Sequence, residues 1–143
     1  MVLPFSGKPV AGYSKRSLVD KLGIKPGYRV YIGNAPAGYD KTLGQLPAKA
    51  AALKALKSPC DFIQFFTTEK AGLEAAFPKL KKSLDPAGTL WISWPKGASK
   101  VRTDVNENVV REIGLSNGLV DVKVCAVDDV WSGLKFMYRL KDR

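Results

Sequence analysis

The chain has 143 residues, 45% of them hydrophobic and 25% charged, the size and make-up of one ordinary folded domain. It contains no histidine, so Ser-His-Asp and Cys-His catalysis and histidine-ligated zinc or iron are excluded, and acid–base work falls to Asp, Glu, Lys or Tyr. The net charge is +10 and uneven: residues 1–60 carry ten Lys/Arg against Asp20 and Asp40, whereas residues 61–143 carry thirteen against eleven acidic residues.

Residues 1–13 read as a loose arm, punctuated by Pro4, Gly7, Pro9 and Gly12. They hold no apolar core of signal-peptide length, and no stretch reaches the roughly 20 apolar residues of a membrane span, so a cytoplasmic protein is expected. A single domain over residues 14–143 follows. Ser14 caps a first helix running to Leu22, with Leu18, Val19 and Leu22 on its apolar face and Gly23 ending it. Arg29 to Gly33 is a β-branched and aromatic run, a first strand. The loop Gly33 to Gly38 leads into a helical turn from Tyr39 that must stop before Pro47. Ala48 to Lys57 has helix-favouring composition, yet a short second strand is the more economical reading. Asp61 to Thr67, rich in Phe and Ile, is a strand covered on both faces.

Thr68 is expected to cap a helix whose apolar positions Leu73, Phe77, Leu80 and Leu84 share one face, kinked by Pro78. Asp85-Pro86-Ala87-Gly88 ends that helix, and Thr89 to Trp94 is a fourth strand. Asp104 to Glu107 reads as a capping box opening a helix with Val105, Val109, Val110 and Ile113 inward, closed near Asn117-Gly118. Val120 to Val127 and Leu134 to Leu140 are the closing strands. Cys60 and Cys125 are reduced thiols with no metal-type spacing, Cys125 acting as a small hydrophobe.

Alternating strands and helices imply a mostly parallel sheet covered on both faces, a three-layer α/β sandwich of Rossmann-like type. The last two strands are joined by about six residues, too few for a parallel crossover, so the C-terminal strand runs antiparallel. That element order resembles the class I methyltransferases, as does the turn Leu84-Asp-Pro-Ala-Gly-Thr-Leu-Trp-Ile92. The resemblance implies a fold and a place for S-adenosylmethionine, but the cofactor positions depart from it. Ala35 and Ala37 stand where glycines belong, Pro36 lies between them, Tyr31 occupies an acidic position, and Pro47 to Cys60 contains no carboxylate. No cofactor is therefore expected. The chain is also similar to a bacterial family called domain of unknown function 3052. That likeness is carried by Lys21-Leu-Gly-Ile-Lys-Pro-Gly27, Asn34-Ala-Pro-Ala-Gly38, Leu90-Trp-Ile-Ser-Trp-Pro-Lys96 and the run Asp121 to Gly133; it implies no mechanism.

Ligands of open α/β sheets bind outside the carboxyl ends of the strands. Asn34, Thr67, Thr68, Lys96, Asp128, Asp129 and Trp131 should meet at that edge, a mixture of polar groups around an aromatic that suits a small molecule. Asn34, Lys96 and Trp131 are expected in one crevice. The plainer roles are turn caps for Asn34 and the threonines, a solvated turn for the aspartates and packing for the tryptophan. Asp128 and Asp129 could hold a magnesium ion, though adjacent carboxylates often point apart, so no metal site is assigned. The functional expectation is a non-catalytic module binding a small molecule or a protein partner. The alternatives are a methyltransferase with an atypical cofactor pose and a basic nucleic-acid binder. The last is not favoured, because the basic residues are dispersed along the sequence and solubility accounts for them.

Overall fold

The computed structural model describes residues 16–143. The expected N-terminal arm over residues 1–13 and the cap at Ser14 lie outside the described residues. The first helix, α1 (Leu18–Leu22), is capped by Ser17, whose hydroxyl accepts from the Asp20 N–H, and ends at Gly23 in the left-handed region (φ 82°).

Strand β1 (Arg29–Gly33) matches the sequence reading, and α2 (Tyr39–Leu43) follows the Gly33–Gly38 loop. The ambiguous segment contributes a short strand, β2 (Ala51–Leu53). Its Ala-Leu-Lys composition favours helix, but pairing with β1 decides the outcome, as strand formation depends on neighbours more than on intrinsic preference. Strand β3 (Cys60–Phe66) is buried along nearly its whole length.

The next helix, α3 (Lys70–Ser83), starts two residues after Thr68. Thr68 is not its cap. The N-cap position is Glu69, and the carboxylate that satisfies the first helical N–H comes from Asp104, 2.7 Å from the Lys70 nitrogen. Leu84, expected on the helix, opens β4 (Leu84–Pro95), which takes in the Asp85–Gly88 turn as a bulge between the pairs Cys60–Leu84 and Phe62–Thr89. Gly88 has to be glycine there: a Cβ would lie 2.8 Å from the Asp61 carbonyl oxygen. Helix α4 (Glu107–Ser116) is capped by Asn106 rather than Asp104. Strands β5 (Leu119–Ala126) and β6 (Trp131–Tyr138) form the closing hairpin.

The six strands lie in the order β2-β1-β3-β4-β6-β5. Strands β2, β1, β3 and β4 are mutually parallel, and β6 is antiparallel to both β4 and β5. The fold is a Rossmann-like α/β sandwich with a mostly parallel sheet and an antiparallel last strand, as the sequence predicts. On one face Ile63, Leu90, Ile92 and Phe136 pack against Leu73 and Phe77 of α3 and Val110 of α4. On the other, Phe62, Phe66 and Trp91 pack against Val19 and Leu22 of α1 and Tyr39 and Leu43 of α2. No helix among the described residues is long and apolar enough to cross a membrane.

Candidate functional site

In this strand order β1 is flanked by β2 on one side and β3 on the other, so the chain reverses its direction of winding between β1 and β3. Such a switch point leaves a crevice at the strand carboxyl ends, since the connections depart to opposite sides. A cleft of about 250 Å³ opens there, lined by Asn34 after β1, Phe65 to Glu69 at the end of β3, Gly72 of α3 and Trp131. Because β6 runs antiparallel, its first residue, Trp131, reaches the same edge as the last residues of β1 and β3.

Of the seven residues expected at this edge, Asn34, Thr67, Thr68 and Trp131 share the cleft lining. Lys96, Asp128 and Asp129 are not in that lining. Lys96 follows β4, and its backbone N–H donates to the Val130 carbonyl at 2.7 Å, tying β4 to the hairpin. Asp128 is consumed by the hairpin turn: one carboxylate oxygen accepts from the Val130 and Trp131 N–H groups, each at 2.8 Å. Asp129 is exposed. Among the described residues no three His, Cys, Asp or Glu side chains gather as a metal site.

Each wall has a local cause. Asn34 sits in the left-handed region (φ 57°), which asparagine tolerates better than most residues, and this turns the chain off the sheet edge. Thr67 is a brace: its hydroxyl donates to the Glu69 carbonyl at 3.0 Å and accepts from the Glu69 N–H. The Thr68 carbonyl accepts from the Thr103 hydroxyl at 2.6 Å, which brings the segment before α4 against the cleft. A second hollow, of about 570 Å³, adjoins the first through Thr68 and Glu69 and is lined further by Arg102, Thr103 and Asp104. The side chains of Asn34, Thr68 and Glu69 and the indole N–H of Trp131 have no hydrogen-bond partner among the described residues.

Beneath the cleft, Tyr39, Phe66 and Trp131 form an edge-to-face row with ring centroids 4.7 and 5.1 Å apart. The row is anchored by a polar chain inside the apolar layer. The Tyr39 hydroxyl donates to Gln64 Oε1 at 2.7 Å, and Gln64 Nε2 donates to Ser93 Oγ at 3.1 Å. Gln64 and Ser93 are fully buried. Burial pushes the Tyr39 hydroxyl well above the usual tyrosine range. Sequence reasoning passed over Gln64, Glu69 and Gly72. A lone glutamine in a run of buried Phe and Ile is a signal for Gln64; the other two had none.

Gly33 survives at a cofactor-glycine position but has another reason to be glycine. A Cβ there would lie 3.0 Å from the rings of both Phe65 and Tyr31. The loop beyond it offers little backbone to a nucleotide, because Pro36 has no N–H and its carbonyl already accepts from the Tyr39 N–H. Past β2, Leu53 is followed by Lys54 where a ribose-binding carboxylate would be useful.

No family model matches the chain, and no curated protein matches it in sequence. Solved structures do. A S-adenosylmethionine-dependent methyltransferase from Aquifex aeolicus superposes with a TM-score of 0.57 at 18% identity, over 85% of this chain and 88% of that one. Magnesium protoporphyrin IX methyltransferase from Synechocystis PCC 6803, with bound S-adenosylmethionine, gives 0.59 at 13% identity over 85% and 74%. Aeropyrum pernix fibrillarin with natively bound S-adenosylmethionine gives 0.55 at 11% over 81% and 69%. At these identities the likeness establishes a shared methyltransferase-like fold.

Proposed function

We propose that the chain binds a ligand of the S-adenosylmethionine type in the Asn34–Trp131 cleft, in a pose that does not use a glycine-rich loop. The observation that carries this reading is the position of the cleft, astride the β1/β3 switch point of a fold that superposes on proteins solved with that ligand. The cleft alone is small for a nucleoside joined to an amino acid, but with the adjoining hollow at Thr68 and Glu69 there is room. The Glu69 carboxylate suits ribose hydroxyls or an ammonium, the Asn34 amide suits a carboxylate or a base edge, and Phe66 and Trp131 offer apolar surface. Bound there, the ligand would supply an activated methyl group. The described lining adds hydrogen bonds and exclusion of water.

Loop chemistry by itself favours a different reading, a non-catalytic module holding another small molecule. Its specific support is Pro36 together with the missing carboxylate after β2. Membership of the domain of unknown function 3052 family belongs to the same proposal and rests chiefly on the run Asp121 to Gly133.

Calorimetric titration with S-adenosylmethionine and S-adenosylhomocysteine separates the two. A micromolar dissociation constant, about −8 kcal/mol, weakened at least tenfold by Trp131→Ala, supports the first reading. Affinity weaker than about 1 mM for both compounds rejects it in favour of the second.

A further inference from the structure

We propose that the face of β5 and β6 turned toward α1 docks nucleic acid, with Lys21, Lys25, Lys123 and Lys135 holding the phosphodiester backbone. These lysines are scattered along the sequence, and strand register gathers them. Lys123 of β5 stands directly opposite Lys135 of β6, and Lys135 stands opposite Trp91 of β4. The Trp91 indole N–H donates to the Leu22 carbonyl at 3.0 Å, which fixes α1 over this strip of the sheet. Lys21, in the last turn of α1, and Lys25, just past its Gly23 end, therefore border the same strip.

The arrangement is costly without an anion. Like charges directly opposite each other in a sheet repel, and the ordinary remedy is an acidic neighbour. None of the four lysines forms an ion pair among the described residues. Asp121, the acid of β5, is taken by Arg111 of α4 at 2.9 Å. Asp20 is exposed on α1 and forms no ion pair among the described residues. The four fields overlap: Lys135 is held below the usual lysine range by burial and then by Lys123 and Lys25, and Lys123 and Lys21 together act on the Cys125 thiol.

The chemistry selects a phosphodiester backbone over a lipid surface. Membrane docking through lysines draws on large exposed apolar side chains beside them. Here the neighbouring Val120 and Met137 are half-buried, exposed Val122 stands singly in the bulge between Asp121 and Lys123, and exposed Val124 lies opposite Leu134, which belongs to the α4 side of the sheet, so no broad apolar surface accompanies the lysines. Lysines read phosphate as point charges, so the surface should bind without regard to sequence. The excess positive charge of residues 1–60 adds to the same attraction.

Fluorescence anisotropy of the full chain with a labelled random-sequence duplex and its single strand, over a series of salt concentrations, tests this. Binding should be salt-sensitive. Lys123→Gln with Lys135→Gln should weaken it at least tenfold at low salt and make the slope of log affinity against log salt shallower by about 2. Lys79→Gln with Lys82→Gln, an equal charge change on α3, should shift affinity less than twofold. Melting temperatures check that both double variants are folded, and relief of repulsion should leave that of the β5–β6 variant no lower than the parent. Absence of binding at low salt, equal losses in the two double variants, or equal competition by phosphatidylserine vesicles would overturn the proposal.

Discussion

Trp91 and Trp131 put the same side chain to different uses. Trp91 is fully buried with its indole N–H bonded to the Leu22 carbonyl, so Trp91→Ala should cost about 3–5 kcal/mol in urea unfolding, from lost burial and the cavity left behind. Trp131 is only partly buried against the same core and touches Phe66 edge to face, so Trp131→Ala should cost clearly less than Trp91→Ala while removing a cleft wall. Tyr39 sits under both the row of rings and the polar chain. Tyr39→Phe would strand the buried Gln64 carbonyl oxygen, a loss of about 1–3 kcal/mol. It should also change the alkaline limb of stability. The folded protein holds the Tyr39 proton more tightly than the unfolded chain does. Its stabilising contribution is therefore complete below the usual tyrosine pKa of about 10 and is lost as pH rises through the raised value. Urea midpoints measured across alkaline pH should fall less steeply for Tyr39→Phe than for the parent.

Helix α3 shows how an element can depend on a residue far along the chain. Its first N–H is satisfied by Asp104, and Thr103 next to it bonds the Thr68 carbonyl. Asp104→Ala should therefore destabilise α3, by about 1 kcal/mol as for other lost helix caps, and lower the melting temperature by about 4 °C. A stability unchanged by that substitution would show the carboxylate to be dispensable. The sequence pointed to Asp104 as a cap but attached it to α4, because capping patterns are read from the residues that follow, and a carboxylate reaching back to another helix leaves no local mark. The same limit explains the other misreadings. Strand β3 is legible because burial on both faces demands an apolar run. Strand β2 is legible only from the order of its neighbours and not from its own composition, because Ala51–Leu53 takes its conformation from β1. The Asp85–Gly88 segment looks like a turn and is absorbed into β4 as a bulge. Asn34, Thr67, Thr68 and Trp131 could be placed at one edge because strand direction alone determines it. Glu69 and the lysine strip could not, since they depend on helix start and strand register.

At the scale of the whole molecule, β6 is the strand that closes the sheet. It lies between β4 and β5 and pairs with both along its length, although it follows them in sequence. Leu134 and Phe136 contribute to the core beneath α3 and α4. Ending the chain after Ala126 should therefore abolish cooperative unfolding in circular dichroism rather than lower its midpoint, since both neighbours would lose their ladders. A sharp transition in that truncated chain would show β1–β4 to be self-sufficient. At the outer edges, β2 is only three residues long, and β5 carries Asp121 and Lys123 around a bulge, features that discourage pairing with other chains.

The position of β6 also sets a constraint during translation. Strands leave the ribosome in sequence order, so β6 is the last of the six to appear, and its place between two earlier strands must stay open until then. At about 5–20 residues per second, that gap stands open for seconds, exposing the long edge of β4 and the apolar side of β5 to other nascent chains. Productive folding of this domain thus waits on its C-terminal strand, and slowing synthesis over the final hairpin would prolong the interval in which it can aggregate.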